Sequence, residues 1–117
     1  MANVRLSRPW LIAATLCLAG DAGTSHAQDY PARPVRLVVP YVAGGGTDAI
    51  ARILAKGLEQ RLGQPFVVEN RGGSGTTLGG AHLARADPDG YTLLMATSST
   101  LAIAAGLYKR LPYDPTR

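Results

Sequence analysis

The chain has 117 residues, of which 12 are Lys or Arg and 8 are Asp or Glu, and its formal net charge is +4. The basic residues are dispersed rather than clustered among aromatic residues, which argues against a nucleic-acid interface. The single cysteine, Cys17, excludes an internal disulfide. This length suffices for one small domain with a modest core.

The first 27 residues have the pattern of a secretory signal peptide. Arg5 and Arg8 precede an apolar stretch over residues 9–20, and Ser25 and Ala27 are small residues at the positions expected before a cleavage site. The apolar stretch is too short to span a bilayer as a helix. We therefore expect cleavage after Ala27 and export of a mature segment over residues 28–117.

Strand and helix patterns alternate along the mature segment. Short β-branched runs predict strands, and apolar residues at helical spacing predict a helix after each strand. The predicted strands are residues 35–39, 66–69 and 91–96, and the predicted helices are residues 48–62, 76–85 and 101–108. Thr47 is the predicted N-cap of the first helix, Asp48 lies in its first turn, and Gly63 is predicted to end it. This βαβαβα order predicts an α/β fold with a parallel sheet.

Three loops are expected to meet at one edge of that sheet. Residues 40–48, 71–77 and 97–100 each follow the carboxyl end of a predicted strand, where α/β folds bind ligands. Gly44, Gly45 and Gly46 also leave backbone N–H groups bare at a helix N-terminus, which favours an anion. The loops offer neutral hydroxyl donors and one carboxylate: Thr47, Asp48, Ser74, Thr76, Thr77, Ser98, Ser99 and Thr100. Such donors suit a carboxylate or another small polar ligand.

Two interpretations of the glycine run remain open from the residues alone, since it is also typical of a flexible turn. Asp48 is likewise either a ligand contact or a stabiliser of the first helical turn. A third interpretation is a dinucleotide site, because residues 44–49 satisfy the pattern G-x-G-x-x-A and Glu69 ends the next strand. Four residues separate the strand from Gly44, however, and the export signal also argues against it. Ser74 lacks the G-x-S-x-G spacing of a hydrolase. We expect no enzyme, no cofactor and no metal site.

Four separated motifs resemble the Bug family, the exported solute-binding receptors of tripartite tricarboxylate transporters in Gram-negative bacteria. In order along the chain, they are VPYVAGGGTD, GQPFVVENR, DGYTLL and LYKRLPYDP. The resemblance implies a two-lobed periplasmic-binding-protein-like fold that closes around a ligand. It also implies a periplasmic location, an organic acid or related polar solute as ligand, and integral-membrane transporter subunits as partners. We expect the receptor to be a monomer.

The resemblance implies that strand-to-helix loops of the first lobe hold one carboxylate of the ligand. Glycine N–H groups and hydroxyls are expected to donate to it, Asp48 to hold a water or orient its loop, and the Tyr41 ring to cover the ligand. The predicted ligand-binding residues are Tyr41, Gly44, Gly45, Gly46, Thr47, Asp48, Ser74, Gly75, Thr76, Thr77, Ser98 and Ser99.

Two lobes of ordinary size need more chain than is present here. Residues 28–117 are therefore expected to form part of a first lobe, without the second. The alternative expectation is a non-functional truncated remnant. The sequence does not identify the solute, and it leaves a transport role and a sensing role open.

Overall fold

Three parallel strands form the centre of the fold. A computed structural model describes residues 29–116, so the predicted signal peptide lies outside the described residues. Strand β1 (Val35–Val39) lies between β2 (Phe66–Asn70) and β3 (Thr92–Leu94) and pairs in parallel with both. The predicted α/β class and parallel sheet are confirmed.

The central strand β1 is the most deeply buried part of the molecule. Val35, Val38 and Val39 have no exposed area, and Leu37 is 3% exposed. A strand with a neighbour on each side and buried residues on both faces needs a nearly continuous apolar sequence, and β1 provides one. Burial of these side chains anchors the loop that follows β1.

Helix α1 (Gly46–Leu62) packs against β1 and β2 through its smallest side chains. Ala51 and Ala55 are buried, whereas Ile50 and Ile53 are exposed. Alanine on the inner face lets the helix backbone approach the sheet closely. The helix ends at Gly63, which has a left-handed φ of 71° and donates its N–H to the carbonyl of Glu59, as predicted.

The beginning of α1 differs from the prediction. Gly45 is the N-cap, the helix begins at Gly46, and no side chain caps it. The prediction that Thr47 is the N-cap is therefore wrong, since Thr47 lies within the first turn. The reason is that the Asp48 carboxylate accepts the N–H of Gly44 at 2.9 Å, which folds the loop over the first turn and starts the helix earlier.

Helix α2 (Thr77–Ala84) contacts β1 and β3, and a 3₁₀ turn over Ser74–Thr76 leads into it. Its glycines permit this packing, as expected. A Cβ on Gly79 would lie 2.6 Å from the Cβ of Pro40, at the end of β1. The helix therefore approaches the sheet more closely than alanine would allow.

The third strand and helix are shorter than predicted. Strand β3 stops at Leu94, although the N–H of Met95 still donates to the Val38 carbonyl. The next ladder position on β1 is Pro40, which has no N–H to donate, so the strand pairing ends there. A π-helical turn over Ser99–Ile103 then leads into α3 (Ala104–Leu107). Within residues 29–116, no helix has the length and apolarity needed to cross a membrane.

Candidate functional site

The three strand-to-helix loops meet at the carboxyl end of the sheet, as predicted. The hydroxyl of Tyr41 lies 2.8 Å from Thr97 Oγ1, which joins the first loop to the third. Asn70 Nδ2, at the end of β2, donates to the Tyr41 carbonyl at 3.2 Å. A Cβ on Gly72 would lie 3.0 Å from the Tyr41 carbonyl carbon, so the second loop packs directly on the first. Tyr41 is thus the point at which all three loops are connected.

Asp48 fixes the conformation of the first loop. Its Oδ2 accepts hydrogen bonds from the Gly44 N–H at 2.9 Å and from Arg52 Nε at 3.0 Å, and its Oδ1 accepts one from Asn70 Nδ2 at 2.9 Å. The hydrogen bond from Arg52, followed by those from Gly44 and Asn70, lowers the pKa of Asp48 from 3.8 to about 2. The side chain is nearly fully buried. Of the two anticipated roles of Asp48, orienting the loop is the one that these contacts support.

The glycine run does not line the cavity that Tyr41, Thr76 and Ser99 border. Gly44 has a left-handed φ of 85° and has already donated its N–H to Asp48. Gly45 is half-buried, Gly46 is exposed, and Thr47 is half-buried in the first turn of α1. The Asp48 carboxylate accepts the Gly44 N–H and so places a negative charge at the glycine loop, where the diphosphate of a dinucleotide would lie. This weighs further against the dinucleotide interpretation.

A cavity of about 270 Å³ lies between the second loop and the helical segment formed by the π-helical turn and α3. Four of its lining residues were predicted to bind the ligand, and four were not. The predicted ones are Tyr41, Gly75, Thr76 and Ser99, and the others are Ile103, Ala104, Leu107 and Tyr108. No charged side chain lines this cavity among the residues that the structure describes. A ligand here would therefore meet neutral donors and apolar groups.

Thr76 is the most unusual residue of this cavity. Its hydroxyl is buried and has no hydrogen-bond partner among residues 29–116. Its φ of 76° is left-handed, which is strained for a β-branched residue. Buried polar atoms without a partner are rare in proteins, and strained backbone concentrates at functional sites. Both features single out Thr76 as a ligand-binding candidate.

The remaining predicted hydroxyls have different surroundings. Thr77 is buried, and its hydroxyl donates to the carbonyl of Ser74 at 2.9 Å, which braces the turn before α2. The Thr100 hydroxyl is buried 3.4 Å from Thr97 Oγ1. Ser74 and Ser98 are exposed. Thr77 and Thr100 thus contribute to the structure of the loops, whereas the two serines lie at the surface.

Sequence reasoning missed several residues that shape the site. Asn70 and Arg52 hold Asp48, and Tyr108 donates its hydroxyl to the Ser74 carbonyl at 3.2 Å. Asn70 carried a usable signal, because it is an amide at the carboxyl end of a strand. Tyr108 carried no such signal, because its hydrogen bond to the Ser74 carbonyl is a tertiary contact between distant parts of the chain. Arg71, which lies next to Asn70, is ion-paired with Glu69 and does not line the cavity.

Metal ligands do not cluster in the described part of the chain. Within residues 29–116, no group of three or more His, Cys, Asp or Glu side chains is placed to hold a metal ion. The cavity is lined by hydroxyl-bearing residues, glycine and apolar side chains.

Residues 50–117 match the family model of the tripartite tricarboxylate transporter family receptor. The match covers more than half of the chain. This chain belongs to that receptor family. The match includes three of the four motifs, and the resemblance to the Bug family is confirmed.

Solved receptors with the same fold support this assignment. The periplasmic binding protein BugD is 49% identical with a TM-score of 0.70, and the match covers 74% of this chain and 28% of BugD. A Rhodopseudomonas palustris protein solved with adipate is 38% identical with a TM-score of 0.71, covering 74% of this chain and 29% of that one. MatC from the same organism, solved with malate, is 40% identical with a TM-score of 0.71, covering 75% and 30%.

This receptor chain spans about 30% of the length of the curated relatives and solved proteins that it matches. The family and its solved members are solute-binding receptors rather than enzymes. The structure described here corresponds to one part of their periplasmic-binding-protein fold.

Proposed function

We propose that this chain forms part of the first lobe of a periplasmic receptor that binds a small organic anion through a carboxylate group. The observation that carries the proposal is that Tyr41, Thr76 and Ser99, from the three loops, line one cavity, and that the buried Thr76 hydroxyl has no partner among residues 29–116. Relatives that were solved with adipate and malate support the same class of ligand. In this proposal the chain has no catalytic role, and the complete receptor delivers its solute to integral-membrane subunits.

The donors proposed for the carboxylate are the hydroxyls of Thr76 and Ser99, together with backbone N–H groups of the second loop near Gly75. Hydrogen bonds to a charged group contribute about 1.5–3 kcal/mol each, so a few neutral donors suffice without a lysine or arginine. The Tyr41 side chain lines the same cavity and covers one side of the ligand. Rotation of the Thr76 side chain toward the cavity would let a ligand oxygen accept from its buried hydroxyl, which has no partner among residues 29–116.

The other predicted residues have outer positions in this proposal. Ser74, Ser98 and Thr47 contact the ligand, if it is long enough, from the exposed ends of their loops. The amides of Gly45 and Gly46 lie at the N-terminus of α1, where the helix dipole favours negative charge. Gly44, Asp48 and Thr77 hold the loops in place through the hydrogen bonds that they already make.

Thermal unfolding in the presence of malate, adipate and their uncharged diamides tests the proposed ligand class. We expect the two acids to raise the melting temperature of the chain in a concentration-dependent way, because only the folded state offers the loop donors. The diamides keep the size and carbon skeleton of the acids but carry no charge, and they should have little effect. If the diamides stabilise the chain as well as the acids do, carboxylate recognition is wrong.

A further inference from the structure

One side of the cavity is an apolar wall, formed by Ile103, Ala104, Leu107 and Tyr108. These residues come from the end of the π-helical turn, from α3 and from the residue directly after it. Ile103 is 50% exposed and Leu107 is 75% exposed. Large apolar side chains exposed together at the mouth of a cavity indicate a contact with something apolar.

The wall is tied to the second loop, whose residue Thr76 lines the same cavity. Ile103 and Leu107 are four residues apart, so they lie on the same side of the helical segment. The Tyr108 hydroxyl donates to the Ser74 carbonyl at 3.2 Å, which ties the end of α3 to the second loop. A Cβ on Gly75 would lie 2.8 Å from this hydroxyl oxygen, so the glycine permits the contact. The polar and apolar sides of the cavity are thus held together by one residue.

The chemistry of the wall limits what can lie against it. A hydroxyl on the ligand finds no hydrogen-bond partner on Ile103, Ala104 or Leu107, so packing against these side chains costs it part of its hydration. A methylene or an aromatic ring would instead gain from leaving water. Thr76 and Ser99, which line the same cavity, donate to the carboxylate in the proposed function.

We propose that Ile103, Leu107 and Tyr108 determine specificity, selecting organic anions with an apolar body over polyhydroxylated anions of the same length and charge. The inference rests on the proposed function, because it assumes that a carboxylate occupies the polar side of the cavity. It adds the chemical class of the part of the ligand that follows the carboxylate.

Adipate and glucarate are a matched pair of probes for this inference. Both have six carbons and two carboxylates, and they differ in the four hydroxyls that glucarate carries. Titration of the ¹⁵N-labelled chain with each acid, followed by amide shifts, measures weak affinities and locates the binding site. We expect adipate to bind about tenfold more tightly than glucarate, with the largest shifts at Gly75, Thr76 and Ile103.

Leu107→Asn tests the wall itself, and Leu101→Asn is its control. Leu101 is also exposed on the same helical segment but does not line this cavity. The Leu107 variant should lose most of the preference for adipate while binding glucarate as before, and the Leu101 variant should keep the preference. Equal affinity for the two acids, or a preference unchanged by Leu107→Asn, would overturn the inference and leave carboxylate binding intact. If neither acid binds, both the inference and the proposed function fail.

Discussion

Asp48 sets the shape of the first strand-to-helix loop through its own hydrogen bonds. Its two carboxylate oxygens accept three hydrogen bonds, from the first loop, from α1 and from the end of β2. Charge-assisted hydrogen bonds of this kind are stronger than neutral ones. The conformation of the first loop therefore depends on Asp48 being ionised.

Replacement of Asp48 by asparagine should change the acid sensitivity of the fold. The pKa of Asp48 is lowered from 3.8 to about 2 in the folded state, so its charged form stabilises the fold above about pH 4. That stabilisation is lost as the pH falls from about 4 toward 2. We expect Asp48→Asn to unfold at a lower temperature at pH 7 and to lose less stability between pH 4 and 2.

Circular dichroism melts across this pH range measure the effect. Asp87→Asn is the control, because Asp87 is an exposed aspartate in the turn before β3. The control should keep the acid sensitivity of the parent chain. An Asp48 variant with the same pH profile as the parent would contradict the proposed role of the carboxylate.

Some structural features around the cavity could be predicted from sequence and others could not. The positions of Thr76 and Ser99 beside the cavity could be predicted because both residues follow strand ends in a parallel fold, where loops converge. The N-cap of α1 could not be predicted from sequence. A serine, threonine or glycine near the start of a helix is compatible with several first turns, and the contact between Asp48 and Gly44 decides among them. Tyr108 depends on a tertiary contact that no local pattern encodes.

At the scale of elements, close helix packing brings the loops together. Gly79 places the backbone of α2 against Pro40, the first residue of the first loop. The start of α2 and the end of β1 are therefore held at a fixed separation. A larger residue at position 79 would move the second loop away from the first.

Two alanine substitutions in helices separate packing from helix propensity. Gly79→Ala should lower the free energy of unfolding by about 1–3 kcal/mol, because its Cβ would lie 2.6 Å from Pro40. Gly57→Ala in α1 should raise it by about 0.5–1 kcal/mol, since that position is open and alanine favours helices. Urea unfolding measures both values. If both variants were stabilised, α2 would not pack as closely as described.

The order and bounds of the elements were largely predictable, because β-branched runs, helical spacing and Gly63 are local signals. The inward face of α1 was not, since apolar residues occur on several sides of this helix. Ala51 and Ala55 face the sheet, whereas Ile50, Ile53 and Leu54 are exposed. Periodicity indicates a helix, but the fit of small residues against the strands decides which side is buried.

At the scale of the whole molecule, the described residues correspond to one part of a longer receptor fold, and in the proposed function they form one wall of its binding site. The sheet has β2 and β3 at its edges, and apolar side chains of α1 and α3 are exposed. The relatives that the chain matches are about three times as long, and the chain spans about 30% of them. A single wall with a few hydrogen-bond donors should bind its ligand weakly, so a method suited to millimolar affinities is needed.

The central claim is that a carboxylate binds where the three loops meet, with Thr76 as a donor. Amide shifts of the ¹⁵N-labelled chain during a malate titration test this most directly. Thr76→Val removes the hydroxyl while keeping the side-chain shape, and Thr92→Val on β3 is the control. Because the Thr76 hydroxyl has no partner among the described residues, its loss should not destabilise the empty chain.

We predict that malate shifts the amides of the three loops, residues 40–48, 71–77 and 97–100, in the parent chain and in the Thr92 variant. The affinity for malate should fall at least fivefold in Thr76→Val, whose melting temperature without ligand should stay unchanged or rise. Shifts that lie elsewhere in the chain, or loop shifts that persist undiminished in Thr76→Val, would contradict the account.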